Sequence, residues 1–180
     1  MRSIPSAVHS LRHLDLRLPS LVALPDALGS LMSLTSLYLT LCMCLPALPD
    51  STGSLLKLRA LRISRCSLLA ELPASTSKLE GLAYLELTDC ALIKSLPEGF
   101  GALPSLMGLD FDSCEALADV LYDDPVVDEM EARGIGMFGP GIEIETRKYV
   151  DIKAEIARDD EERRERLTVL RAEAAAKRES

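Results

Sequence analysis

The chain has 180 residues, 48% hydrophobic and 27% charged, with a net charge of −8 and no Trp. Its length gives one domain a sizeable core, and its balance excludes wholesale disorder. The acidic excess, without any Lys/Arg-rich block, excludes sequence-independent nucleic-acid binding, because phosphate contact needs clustered cations. Nor does any stretch approach the roughly 18 unbroken apolar residues of a membrane span. The opening MRSIPSAVHSLRHLDL lacks the apolar centre of a secretory signal, so a cytoplasmic protein without membrane contact is expected. Of 34 leucines, 31 fall between Leu11 and Leu117, so the core is built almost entirely from one branched aliphatic residue.

Those leucines repeat every 24 residues. Met1–Leu24 reads as a shortened first coil: Leu14, Leu16, Leu21 and Leu24-Pro25 fit the later template with one residue missing near Leu18-Pro19. The first full copy is Leu31, Leu34, Leu37, Leu39, Cys42, Leu45 and Leu48-Pro49. The second is Leu55, Leu58, Leu61, Ile63, Cys66, Leu69 and Leu72-Pro73. The third is Leu79, Leu82, Leu85, Leu87, Cys90, Ile93 and Leu96-Pro97, and the last runs Leu103, Leu106, Leu109, Phe111, Cys114, Leu117 and Val120. Gly29, Gly53 and Gly101 recur in the return segment, with Ser77 in the fourth place.

A period of about 20–29 residues with L-x-x-L-x-L-x-x-N/C is the leucine-rich-repeat signature. It predicts an α/β solenoid of four or five coils over 1–120. Short parallel strands line the concave face, helical, 3₁₀ or irregular segments return the chain, and a C-terminal helix follows. In Leu37-Tyr38-Leu39 the leucines point inward and Tyr38 outward, because side chains alternate along a strand. Each coil leaves an open apolar edge that the next one covers. The pattern LxxLxxLxLxxCxxLxxLPxxxGx, most closely in LPEGFGALPSLMGLDFDSCEAL, resembles the leucine-rich repeats of plant-type intracellular nucleotide-binding immune receptors and related cytosolic proteins. The resemblance covers about 4–120 and implies a role in defence signalling. The P-loop G-x-x-x-x-G-K-[ST] of those receptors does not occur here, which would make the chain a fragment or a stand-alone relative of their sensor.

The column Cys42, Cys66, Cys90 and Cys114 has two readings. A metal site or disulfides form one, since stacked strands are about 4.7–4.9 Å apart. In the favoured reading the small buried thiols stand where other repeats place Asn, turned toward carbonyls of their own coil. Zinc sites use short paired spacings, not a periodic column. Cys44 reads as a partly exposed loop thiol. Gly134-Ile-Gly-Met-Phe-Gly139 spells G-x-G-x-x-G, but that motif has physical meaning only between a strand and a helix of a βαβ unit; a flexible turn is expected. His9 and His13 read as surface or cap-edge residues, with no third group to orient either toward a nucleophile. No catalytic residue, cofactor or metal is expected.

The outward strand positions make the candidate partner-binding face: Asp15 and Arg17, Tyr38 and Thr40, Arg62 and Ser64, Tyr84 one column over, Glu86 and Thr88, then Asp110 and Asp112. Charge here steers association and gives specificity, and aromatics in such a row are frequent anchors; a merely solvated face is the rival reading. A cap and irregular segment should occupy 121–150, with Val120, Leu121, Val126, Val127 and Met130 covering the last coil and a short strand near 142–150.

Residues 151–180 form a charged tail of nine acids and eight bases with high helix propensity. Ile152, Ile156, Leu167, Leu170 and Ala174 leave a gap across 157–166, too wide for a coiled coil, so a solvated helix is expected, with a weak dimerising or partner-docking helix as its rival. The functional expectation is a non-catalytic protein-interaction module taking a protein partner on its concave strands. Weak self-association would run through the N-terminal edge or the 151–180 helix.

Overall fold

A computed structural model describes residues 10–122 and 124–179; His9 and the Ile4-Pro5 pair lie outside them. Each repeat delivers one short strand: β1 (His13–Leu16), β2 (Ser36–Thr40), β3 (Ala60–Ser64), β4 (Tyr84–Thr88) and β5 (Gly108–Asp110). They stack in parallel and in chain order. Equivalent residues of successive copies pair, so Leu37, Leu61, Leu85 and Leu109 form one fully buried column. The irregular first copy keeps this register, with Leu14 opposite Leu37 and Leu16 opposite Leu39. The chain is a leucine-rich-repeat solenoid.

The Leu-Pro pairs start the returns. Pro25, Pro49 and Pro73 sit at φ −73°, −70° and −62°, the value their ring imposes. Each carbonyl accepts from the N–H three residues on, opening the 3₁₀ turns Asp26–Ser30, Asp50–Ser54 and Ala74–Lys78. Adjacent turns approach closely: a Cβ on Gly29 would lie 2.5 Å from the carbonyl oxygen of Ser51 in the next coil. At the other end of each strand, Leu41, Arg65, Asp89 and Ser113 hold left-handed φ values of 59°, 56°, 53° and 57°. This kink turns the chain so that the following Cys enters the core. The N–H groups of Leu41, Arg65 and Asp89 then donate to carbonyls of Ser64, Thr88 and Asp112 one coil on.

Cys42, Cys66, Cys90 and Cys114 are buried free thiols, and Cys44 is exposed. Cys66 Sγ lies 3.7 Å from the carbonyl of Ser64 in its own coil and 3.7 Å from that of Leu39 in the preceding one. Cys90 repeats this with Thr88 and Ile63 at 3.4 and 3.6 Å. The thiols therefore bridge two coils, where the sequence suggested one. Burial pushes the Cys66 thiol up to about 11, leaving it inert at neutral pH.

The cap contains α1 (Glu115–Leu121) and α2 (Pro125–Ala132). Asp124 accepts from the Val126 N–H at 2.9 Å and Pro125 opens the helix, both standard start signals. Leu121 and Met130 are buried and Val126 and Val127 pack partly against the core, whereas Val120 is 47% exposed and does not cover the edge. The Gly134–Gly139 run is not a flexible turn. It contains β6 (Gly136–Gly139), a further parallel strand beside β5, and β7 (Ile142–Ile144) folds back antiparallel to it.

The last helix, α3 (Arg147–Glu179), is one continuous rod about 50 Å long at 1.5 Å per residue. Thr146 caps it, its hydroxyl accepting from the Tyr149 N–H at 3.2 Å and donating to the Gly134 carbonyl at 2.9 Å. It starts before residue 151, and its first half is not solvated: Tyr149, Ile152, Ile156 and Asp160 are buried against the strand face. Among the described residues no helix is long and apolar enough to cross a membrane.

Candidate functional site

The concave strands and α3 meet in a second, smaller core. Tyr38, Ala60, Ala83 and Tyr84 from the coils pack with Tyr149, Ile152 and Ile156 from the helix, apart from the leucine core. Burying each Ile here stabilises the contact by about 1.5–3 kcal/mol. The seat is cut beside Tyr84 by small residues, since Ala60 stands on one side of it in the register and Gly108 and Gly136 on the other. A Cβ on Gly136 or Gly108 would stand 2.8 Å from Tyr149 Cδ2, and one on Gly136 closer still to the Tyr149 Cβ.

Two polar clusters pin the helix at either end of this contact. At the cap end, Asp110 accepts from the hydroxyls of Tyr84 and Tyr149 and from Lys153 Nζ at 2.8 Å; Lys153 also donates to the Tyr149 oxygen at 3.0 Å. A buried carboxylate is tolerated because three donors satisfy it. Burial first, then the bond to Asp110, pushes the Tyr149 phenol up to about 12 and the Tyr84 phenol higher still. Burial alone would lower Lys153, but its bonds to Asp110 and Tyr149 outweigh that and raise it.

Nearer β1, Asp160 of α3 accepts from Arg62 and, at 3.0 Å, from Arg163, while Arg62 Nε lies 2.9 Å from Glu86 Oε2. The guanidinium carbons of Arg62 and Arg163 sit 4.9 and 4.8 Å from the Tyr38 ring centre. Two cations thus lie against the ring. Burial pushes the Tyr38 phenol up to about 12 against the pull of Arg62. Glu86 is also raised by burial, partly offset by Arg62.

This packing corrects one expectation. Tyr38, Tyr84 and Asp110 are not exposed: they retain 6%, 1% and 8% of their surface, because α3 lies over them. Thr88 is half-buried and Asp112 is exposed, both outside the groove beside the helix. Tyr38 and the remaining candidates come together there. Asp15 and Arg17, Tyr38 and Thr40, Arg62 and Ser64, and Glu86 line a groove of about 650 Å³ along the side of α3. The opposite wall is supplied by α3 itself, through Asp160, Arg163, Arg164, Leu167 and Arg171, and sequence reasoning did not assign these to the face. Their spacing of three to four residues was the available signal, since it sets them along one side of a helix.

His13 stands on β1, where partial burial first and Arg163 second lower its imidazole below the usual value. Among the described residues no three His, Cys, Asp or Glu side chains converge to hold a metal ion.

No family pattern and no curated protein matches the sequence. Among solved structures the chain is similar to the leucine-rich repeat domain of the type III effector XopL, with 29% identity and a TM-score of 0.46. The match covers 61% of this chain, which spans about half (47%) of that one.

Proposed function

We propose that this chain is a non-catalytic protein-interaction module whose partner binds in the groove between α3 and the strands β1 to β4. The observation that carries this reading is the convergence of seven outward strand residues and five residues of α3 on one cleft. A two-walled cleft buries more of an inserted segment than an open sheet does, and side chains held by packing and ion pairs lose less freedom on binding. The face that the 24-residue pattern presents is divided. Its cap half is filled by α3, and its N-terminal half is left to a partner.

The experiment is capture from native extract by the full chain, compared between two folded variants. Ser64→Trp fills the groove floor and should abolish capture; Met32→Trp, on a 66% exposed position outside the groove, should leave it intact. Full capture by folded Ser64→Trp would overturn the proposal.

A second reading, a fragment or stand-alone relative of an intracellular immune sensor, is favoured by the LxxLxxLxLxxCxxLxxLP pattern alone. An in-frame P-loop domain upstream in the transcript would support it, and co-expression with such a domain that yields no association would count against it.

A further inference from the structure

The groove departs from the charge of the chain as a whole. In a chain of net charge −8 it collects Arg17, Arg62, Arg163, Arg164 and Arg171 against only three carboxylates. Those three are already committed: Asp15 faces Arg17 at 3.6 Å, Glu86 faces Arg62, and Asp160 holds Arg62 and Arg163. Side-chain exposure separates the two signs. Asp160, Glu86 and Asp15 retain 8%, 25% and 32%, whereas Arg17 and Arg164 retain 70% and 71%. A molecule entering the groove therefore meets guanidinium groups at its mouth, where Arg17 and Arg164 hold exposed pairs with Asp15 and Glu161 and Arg171 is also exposed, and more buried ion pairs at its floor. Leu167, 46% exposed, stands between Arg163 and Arg171 at four-residue steps along α3, which places an apolar spot between cations.

Resting on the proposed function, we infer that the groove takes an acidic segment of a partner protein, with carboxylates around an apolar residue. Guanidinium forks match carboxylates in pairs, and Leu167 receives the apolar residue. A nucleic-acid strand fits less well. Bases need open aromatic faces to stack on, but Tyr38, the aromatic ring of the groove, keeps only 6% of its surface exposed.

The test is fluorescence anisotropy with the full chain and a labelled peptide of Glu and Asp around a central Leu. Controls are the same peptide with Lys in place of its acids and an unstructured oligonucleotide of equal charge. The acidic peptide should bind, the Lys peptide should not, and affinity should fall at least about tenfold as salt rises from about 0.01 to about 1 M, where screening shortens from about 30 to about 3 Å. The double variant Arg17→Glu with Arg171→Glu, at two exposed positions, should weaken the peptide by about tenfold or more with an unchanged melting curve. Equal binding of the Lys peptide, tighter binding of the oligonucleotide, or full binding by the charge-reversed variant would overturn the inference. If Ser64→Trp still blocks partner capture while charge reversal does not, the groove reading stands and its acidic ligand is refuted. If neither variant affects capture, the groove reading fails as well.

Discussion

The leucine core and the contact under α3 differ in how they specify themselves. The first is aliphatic and periodic: a residue at Leu61 meets its own copy at Leu37 and Leu85, so one rule repeated every 24 positions builds it. The second is made once, from Tyr149, Ile152, Ile156 and Asp160 against strand residues both near in the chain, such as Gly136 facing Tyr149, and far, such as Arg62, 98 positions before Asp160. Its specificity rests on fit and charge: a cleared seat for one Tyr, a carboxylate satisfied by three donors, and a ring in contact with two arginines. Repetition gives robustness against small errors; a single unrepeated contact gives direction. That is why α3 lies across this face in one register, and why the remaining groove has one side of strands and one of helix.

The largest expected effect falls on the repeated core. Leu61→Ala removes a fully buried side chain between two like neighbours and should cost about 2–5 kcal/mol, read as a lower urea midpoint of the whole chain. Because coils couple to their neighbours, the loss should appear in one transition. A variant that loses only α3 protection while the coils hold their midpoint would break the division between the two regions.

Next in size is Gly136→Ala, which sets a methyl group against the Tyr149 ring. Overpacking of this kind costs about 1–3 kcal/mol. The expected outcome is local: the near-ultraviolet signal of the tyrosines falls and protease cuts within 147–171 rise, while the leucine core keeps most of its urea midpoint. Unchanged protease resistance would show that Tyr149 does not fasten the helix.

What could be read in the sequence follows the same division. The coils, their register down to Leu14 and Leu16, the Leu-Pro turns and the buried Cys column all follow from a pattern that states itself repeatedly. The seat of α3 does not, for three physical reasons. Tyr149 lies before the change in composition at residue 151, so composition marks the helix without its anchor. The gap in apolar residues across 157–166 is where Asp160 and Arg163 make contact by charge, which hydrophobic periodicity does not register. The glycines of Gly134–Gly139 suggested a turn, yet Gly136 is small to admit Tyr149 and Gly139 to admit Phe111. One further signal lies in the sequence: Ser36, Ala60 and Gly108 are small residues in an outward column where a solvated face carries larger polar ones. The groove lining was half legible, because seven strand residues follow from alternation and the five from α3 follow only once the helix is laid down.

Alkali should separate the two regions more gently. Burial raises the Cys66 thiol from 9.0 to about 11 and the Tyr38 and Tyr149 phenols from 10.0 to about 12. Each folded pKa lies above the unfolded one, so its contribution is complete below the unfolded value and is lost as pH rises through the folded one. Stability should therefore fall first through Cys66, between about pH 9 and 11, and then through the tyrosines, between about pH 10 and 12. Urea midpoints against pH check this: Cys66→Ala should flatten the earlier fall and Tyr149→Phe the later one. Identical profiles for both variants would mean that neither group sets the slope.

The smallest expected effect concerns the kinks that join strands to core. Leu41, Arg65, Asp89 and Ser113 occupy left-handed backbone, which crowds any Cβ and costs roughly 1–2 kcal/mol relative to the ordinary helical region. Glycine removes that strain but loses more freedom on folding, by about 0.5–1 kcal/mol. The two nearly cancel, so the sign depends on what else the side chain does. Ser113 is exposed and sits at the last kink, where β5 gives way to the cap. Ser113→Gly should therefore raise stability by a few tenths to about 1 kcal/mol, seen as a small upward shift in urea midpoint with the slope unchanged. Leu41→Gly tests the other side, because Leu41 is half-buried and its loss of packing should cancel the relief. If both variants gained equally, strain alone would govern the kinks; if both lost, the left-handed turn would be held too firmly by its neighbours for the residue type to matter.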